Sequence, residues 1–280
     1  MKLFKRKAKD RIDEVAGVLD GYELPTFPNV VNEALSMLSD PTSNMCQVAD
    51  TLAIDPGITA KMLSMANSAA VGLRNPVNDL QQVAALLGRN QIESLLIGSA
   101  VSASLPEVRS PVFDSARFWR TAAERAVVAA AISGRIQPAN RSEAFTTALL
   151  QDMALPVLLD QVPGYEDLIR RWHNGEIPDL AQAETETFGF DHAALAGHMG
   201  ARWGFPEPML ASLTEHHDGL NTDTMIWARL VACWTEGDDE GSVQQLLDDA
   251  ATVPQLAGVD APELVEAALD DVGAVAALFR

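Results

Sequence analysis

Apolar residues recur with a helical period along almost the whole 280-residue chain, and the alternation that marks a β-strand is almost absent. Apolar residues make up 48% of the sequence, so a chain of this length can bury a sizeable core. We therefore expect an all-α protein, built as a bundle of many helices.

Capping residues and prolines divide this periodic pattern into separate helices. Five polar residues directly precede an apolar stretch, where their side chains can accept hydrogen bonds from the first helical amides: Asn44, Asp55, Asp79, Asn90 and Asp191. The pattern also predicts a long helix over residues 113–133 and another over residues 142–159. We expect Pro156 to bend or break the second of these helices.

The charge of the chain limits the partners it can bind. With 39 acidic and 20 basic residues, the formal net charge is −19, which argues against duplex nucleic acid as the main partner. Basic residues are concentrated near the start of the chain, and residues 1–19 are predicted to form a basic lead. Residues 236–280 contain eleven acids and one base, Arg280, and are predicted to be an acidic helical extension.

Membrane insertion and secretion find no support in the sequence. No apolar run reaches the roughly 20 residues that span a bilayer, and no apolar stretch of the signal-peptide type follows the basic lead. The two cysteines, Cys46 and Cys233, lack the spacing of a metal site. Such sparse use of cysteine predicts a reducing, cytoplasmic location.

Residues 45–68, MCQVADTLAIDPGITAKMLSMANS, have the helix, tight turn and helix of a DNA-binding motif. The second helix should then carry side chains that contact bases and phosphates. It offers a single cation, Lys61, while Met62 and Met65 are typical of a core. We interpret this helix as a packing element and expect no DNA binding.

Several stretches of the chain resemble the HDOD family, an all-helical offshoot of the HD-domain metal phosphohydrolases. The resemblance lies in LPTFPNVVNEALSMLSDP, in the Asp55-Pro56 pair, in ANSAAVGLRNPV and in the helix that ends at Leu87-Gly88. It continues through FWRTAAERAVVAAAIS, EAFTTALLQDMALPVLL and FGFDHAALAGHMGARWGFPEPMLASLTEHHD. The resemblance implies an HD-like bundle over residues 20–218, with residues 219–280 as the acidic helical extension packed on it.

The resemblance also implies that the metal site of the active hydrolases is degenerate here. Those enzymes place a histidine on a first helix and a His-Asp pair on a second, where Thr121 and Gln151-Asp152 stand in this chain. The Gly-Lys that usually follows the pair is replaced by Ala154-Leu155. Metal-assisted hydrolysis needs the full set of imidazoles and carboxylates to hold its ions.

The residues that could still ligate a metal are few, and their spacing limits which of them can meet. His198 lies about 240° around a helix from His192, so these two side chains cannot face one ion. His216 and His217 are adjacent, and we expect only one of them to join His192 and Asp152. Asp191 and Asp218 are further possible ligands. We predict no metal, no cofactor and no catalytic residue; the candidates, if a site exists, are Asp152, His192, His216 and His217.

We therefore expect a non-catalytic bacterial signalling or regulatory module that acts through contacts with signalling proteins on other chains. Two alternatives stay open: a metal-dependent phosphohydrolase acting on a nucleotide, and a nucleotide sensor that uses the degenerate pocket. Arg74, in the connector ANSAAVGLRNP, is the candidate for a partner surface. A weak homo-oligomer also stays open.

Overall fold

The computed structural model describes residues 24, 26–68, 71, 73–217, 230–231, 239–270 and 272–277. All regular structure in these ranges is helical, which confirms the predicted all-α class. No helix there combines the length and the apolar character needed to cross a bilayer. The predicted basic lead, Cys233 and Asp218 lie outside the described residues.

The helices follow one another with short connections. The first group consists of α1 (Asn29–Ser39), α2 (Met45–Leu52), α3 (Pro56–Ala66), α4 (Leu80–Leu87) and α5 (Arg89–Ser104). The second group consists of α6 (Ser115–Ile136), α7 (Arg141–Leu150), α8 (Ala154–Gln161), α9 (Tyr165–His173), α10 (Leu180–Phe188), α11 (His192–Arg202) and α12 (Glu207–Glu215). Beyond these lie α13 (Asp239–Ala251), α14 (Ala261–Leu269) and α15 (Val272–Ala276).

Four of the five predicted N-terminal caps are confirmed, since the side chains of Asn44, Asp55, Asp79 and Asp191 each accept a hydrogen bond from a first-turn amide. The fifth, at Asn90, is wrong. A cap at Asn90 would place the first helical residue at Gln91, but α5 begins two residues earlier, at Arg89, directly after Gly88, which also ends α4. The φ of 78° and ψ of 179° at Gly88 place it in a region that only glycine adopts readily, so α4 and α5 meet at one residue.

The segment predicted as one helix over residues 142–159 forms two helices, α7 and α8. The interruption lies at residues 151–153, ahead of Pro156, which falls in the first turn of α8. Proline has no amide hydrogen, and its ring clashes with the carbonyl four residues earlier, which here is that of Asp152. The chain therefore leaves the helix around Asp152, and the carboxylate stands at a break between two helices.

Helix α6 is the centre of the packing because it is buried on nearly every face. Its inner side packs against α7, which in turn packs against α5. Helices α14 and α15 also pack against α6, and Val265, Val272 and Val275 join the same hydrophobic core. The division of the chain into lead, domain and extension stays a prediction.

The helix α3 that resembles a DNA-reading helix is a packing element. Met62 and Met65 are 1% and 0% exposed. The Nζ of Lys61 donates a hydrogen bond to the Oγ of Ser102 on α5 at 2.6 Å, so its ammonium is directed towards the protein. This burial leaves α3 without the phosphate-binding face that DNA recognition requires.

The connector after α3 is closed by one asparagine. The Nδ2 of Asn67 donates to the carbonyl oxygen of Val77 at 2.9 Å, and the amide of Val77 donates to Oδ1 of Asn67 at 2.7 Å. These two bonds bring the ends of the connector together. Arg74 is exposed within it.

Candidate functional site

Four side chains from three segments meet at the break between α7 and α8. The Nε2 of His192, on the first residue of α11, lies 3.5 Å from Oδ1 of Asp152. The Nε2 of His216 lies 3.8 Å from the same oxygen, and the Nε2 of His217 lies 2.8 Å from that of His192. We call Asp152, His192, His216 and His217 the histidine cluster.

The expectation that only one of His216 and His217 would face this cluster is wrong. A ligand nitrogen from each of His192, His216 and His217 lies within 4.8 Å of the other two. Both side chains can converge because α12 ends at Glu215, so the pair follows the helix in a turn. His198 is not part of this group, as its position around α11 predicts.

The charge of Asp152 is paired with Arg125, a residue of α6 that the sequence analysis did not single out. A guanidinium nitrogen of Arg125 forms an ion pair with Oδ2 of Asp152, and the Arg125 side chain is only 3% exposed. Burial by itself would raise the pKa of Asp152. The charges of Arg125, then His192, outweigh burial and hold that pKa well below its usual value.

His192 is held by a second carboxylate, that of Glu184 on α10. Because a carboxylate only accepts, Nδ1–H of His192 donates to Oε2 of Glu184 at 2.7 Å, and the backbone amide of His192 donates to the same oxygen at 2.8 Å. The hydroxyl of Tyr165 donates to the other oxygen of Glu184. Burial lowers the pKa of His192, but Glu184 and then Asp152 outweigh it and raise that pKa to about 9.

His216 has its tautomer set by the backbone. Its Nδ1 lies 2.8 Å from the carbonyl oxygen of Leu213, which can only accept, so Nδ1 carries the hydrogen. Burial, followed by the neighbouring charges of His217 and His192, lowers the pKa of His216 well below its usual value, so the ring is neutral. Its Nε2 therefore presents a lone pair, is buried, and has no hydrogen-bond partner among the described residues.

A cavity of about 190 Å³ lies beside the histidine cluster. Polar groups line one part of it, including Arg125, Asp152, His192 and His217. Apolar side chains complete the wall, among them Phe118, Leu155, Trp172 and Leu180. Thr121, which stands where the active hydrolases have their first histidine, also lines the cavity.

Sequence reasoning missed Arg125, Glu184 and Tyr165. For Arg125 a signal existed: it stands in ERAVVAAA, at the start of an apolar helical run. A charge there needs a partner, for the same reason that drew attention to Asp152. For Glu184 and Tyr165 no comparable signal exists, because AETETF and GYEDL are typical of exposed, amphipathic helices.

Comparisons with known proteins agree with this architecture. The HDOD domain model matches residues 24–219. Among solved structures, a protein named "Putative phosphohydrolase" from Shewanella amazonensis SB2B superposes with a TM-score of 0.70 at 22% identity, over 98% of each chain. No curated protein matches the chain.

Two further solved structures share the fold. An HDOD domain protein with unknown function from Geobacter sulfurreducens gives a TM-score of 0.66 at 19% identity, over 94% of this chain and 98% of that one. A protein named "Putative signal transduction protein" from Marinobacter aquaeolei VT8 gives 0.68 at 18% identity, over 97% of this chain and 65% of that one. At these identities the structures show the shared fold, whereas the family match spans more than half of the sequence; the chain belongs to the HDOD domain family.

Proposed function

We propose that this chain is a non-catalytic regulatory module of bacterial cytoplasmic signalling that acts through protein–protein contacts. The observation that carries the non-catalytic part is the ion pair between Arg125 and Asp152. In a two-metal hydrolase a carboxylate at this place would bind the ions that activate water. Here a buried guanidinium neutralises that carboxylate.

The residues next to this ion pair also argue against hydrolysis. Gln151 stands where the active enzymes have a histidine, and it is fully buried in the break between α7 and α8. Thr121 lies on the same helix as Arg125, one turn earlier, at the position of the first histidine. A second metal ion would lack imidazole ligands and would lie close to the Arg125 cation, which repels it.

Three observations support the regulatory part. The chain belongs to a family with a solved relative named for signal transduction, although other relatives are named for phosphohydrolysis. Arg74 is exposed on a connector whose ends are fixed by Asn67, which offers a defined surface to another protein. Cys46 is an exposed free thiol, as expected in a reducing compartment.

An assay for phosphodiesterase activity tests the non-catalytic part. We expect the purified chain, supplied with Mn²⁺, Fe²⁺ or Zn²⁺, to hydrolyse cyclic nucleotides and bis(p-nitrophenyl) phosphate no faster than an Asp152→Ala variant. Metal-dependent turnover that this substitution abolishes would instead establish the phosphohydrolase alternative.

Affinity capture from the native cell tests the interaction part. We expect an Arg74→Glu chain to lose a signalling partner that the unchanged chain retains. Arg109→Glu is a matched control, because the Arg109 side chain is 87% exposed and lies away from the connector in sequence. Equal capture by both variants would show that Arg74 is not part of the partner surface.

The cavity favours a second candidate function, the sensing of a small ligand. Trp172 lines the same 190 Å³ space and offers an aromatic face on which a nucleotide base can stack. Because a ligand of the folded state raises stability by mass action, a nucleotide that binds here should raise the Tm. A nucleotide panel that leaves the Tm unchanged would argue against sensing.

A further inference from the structure

We infer that Oδ1 of Asp152 and the Nε2 atoms of His192, His216 and His217 bind a single divalent transition-metal ion of the zinc class. The ion would have a structural or regulatory role. This inference deepens the proposed function, because it assigns a ligand to the degenerate site without restoring hydrolysis.

The first argument is that lone pairs of His216 and Asp152 face one another in the histidine cluster. Nε2 of His216 carries a lone pair, is buried and has no hydrogen-bond partner in the part of the chain that the structure describes, yet it lies 3.8 Å from the negatively charged Oδ1 of Asp152. Two acceptors directed at each other in a buried site repel unless a cation lies between them. The 2.8 Å contact between the His192 and His217 nitrogens holds a single hydrogen, on Nε2 of His192, and a metal ion bound by both rings would replace that hydrogen.

The second argument is the distances. With bonds of about 2.1 Å, the ligand atoms of a tetrahedral zinc ion lie about 3.4 Å apart. The separations of 2.8 Å, 3.5 Å and 3.8 Å lie on either side of this value. Side-chain shifts of a few tenths of an ångström would bring these contacts to the tetrahedral separation.

The third argument is that two of the imidazoles already have the outer partners of metal ligands. Histidines that bind metals usually donate their other ring N–H to a carboxylate or a backbone carbonyl, which fixes the ring and its tautomer. His192 donates Nδ1–H to Glu184, and His216 donates Nδ1–H to the carbonyl of Leu213. Both rings are thereby turned so that Nε2 faces Asp152.

The Arg125 ion pair is compatible with one metal ion in the histidine cluster and excludes a second. Arg125 contacts Oδ2 of Asp152, whereas His192 and His216 face Oδ1. Three imidazoles and one carboxylate oxygen supply four ligands, which is the coordination number of structural zinc sites. A second ion, which two-metal hydrolysis requires, would have to displace the guanidinium.

The test uses the full chain, stripped of metal by a chelator and then titrated with Co²⁺ and Zn²⁺. We expect one Co²⁺ per chain with the intense visible absorption of four-coordinate cobalt, displaced by one equivalent of Zn²⁺. Absence of saturable binding, or the weak spectrum of six-coordinate cobalt, would overturn the site.

Two histidine variants separate ligation from a general effect on the fold. His217→Ala removes a ligand whose side chain is exposed, so the fold should survive, which far-UV circular dichroism checks. We expect it to weaken Co²⁺ binding at least about tenfold, the lower end of what even an outer-shell partner contributes. His198→Ala, on α11 but outside the cluster, should leave binding unchanged, and equal affinities in the two variants would refute the assignment.

The outcomes also separate this inference from the proposed function. If the chain binds no metal, the proposed metal site is refuted and the proposed non-catalytic function stands. A chain that binds metal and hydrolyses phosphodiesters confirms the site and overturns the non-catalytic function. Metal binding without hydrolysis supports both.

Discussion

Asp152 interacts with two kinds of neighbour, a permanent cation and a group of imidazoles. Arg125 is paired with Oδ2, and His192 and His216 lie near Oδ1. Removing one partner of a buried ion pair costs more than removing both, because the remaining charge loses its compensation. The pair therefore has a mutational signature that distinguishes it from ordinary packing.

Replacement of Arg125 by methionine should destabilise the chain by about 3 kcal/mol, because it leaves the Asp152 carboxylate without its buried cation. Urea-induced unfolding of the variant measures this loss. The double variant Arg125→Met/Asp152→Leu should recover at least half of it. A double variant that is less stable than the single one would mean that the ion pair is not what fixes these side chains.

At this scale the sequence points to a residue where that residue stands out from its neighbours. Asp152 was identified because a carboxylate interrupts an apolar helix, and the histidines because the resemblance points to them. The convergence of His216 and His217 could not be predicted, since it depends on where α12 ends. Arg125 lies 27 positions from Asp152, and no local pattern reveals which distant charge a buried carboxylate will contact.

At the scale of the helices, the connections between them determine where each helix begins and ends more than helix propensities do. The helices themselves were predictable because their period and their caps are local properties. The break between α7 and α8 was placed at Pro156, but it lies at residues 151–153, because proline disturbs the turn before it. The start of α5 was misplaced because the backbone of Gly88, rather than the side chain of Asn90, sets it.

Substitution of Asn67 by alanine should destabilise the chain by about 1–3 kcal/mol, since it removes both hydrogen bonds to the backbone of Val77 and leaves polar groups unpaired. Thermal unfolding gives the measurement. Asn75→Ala, at an exposed position of the same connector, is the control and should change stability by less than about 0.5 kcal/mol. Similar losses in both variants would contradict the role of Asn67 as the closing residue.

The stability contributed at the contact between α5 and α7 depends on pH. Burial, and then the charge of Glu93, raises the pKa of Glu143 above its usual value of 4.5. The folded state therefore holds the proton more tightly than the unfolded chain. The stability that this proton contributes is fully present below pH 4.5 and is lost as the pH rises through the raised pKa.

Glu143→Gln, which mimics the protonated acid, should stabilise the chain at pH 7 by up to about 1 kcal/mol. Near pH 4 the gain should shrink, since the native side chain is then largely protonated as well. Chemical denaturation at the two pH values measures the difference. A gain at Glu143 that is the same at both pH values would rule out this cause.

At the scale of the whole molecule, the described part of the chain after residue 238 shares its core with the helices around the site. Val275 is 0% exposed and belongs to the same hydrophobic cluster as the side chains of α6. The separation of a domain over residues 20–218 from an extension over residues 219–280 stays a prediction from the sequence. Calorimetry can measure whether the two parts also unfold separately.

Val275→Ala should lower the stability of the chain by about 2 kcal/mol, by removing buried methyl groups and leaving a cavity. If α15 and α6 unfold together, calorimetry should show one transition that moves to lower temperature as a whole. Glu266→Ala, at an exposed position of α14, should leave that transition in place. Two transitions, of which only one responds to Val275→Ala, would show that the extension unfolds independently.

Helix α6 contacts α14 and α15, and it also carries Arg125, the cation that is paired with Asp152. A side chain of α6 that is enlarged where the helix contacts α14 or α15 would displace the helix, because closely packed interiors transmit strain rather than absorb it. The guanidinium of Arg125 would move with that helix. A partner that binds α14 or α15 would therefore act on the ion pair between Arg125 and Asp152 through α6 itself, without a hinge between the two places.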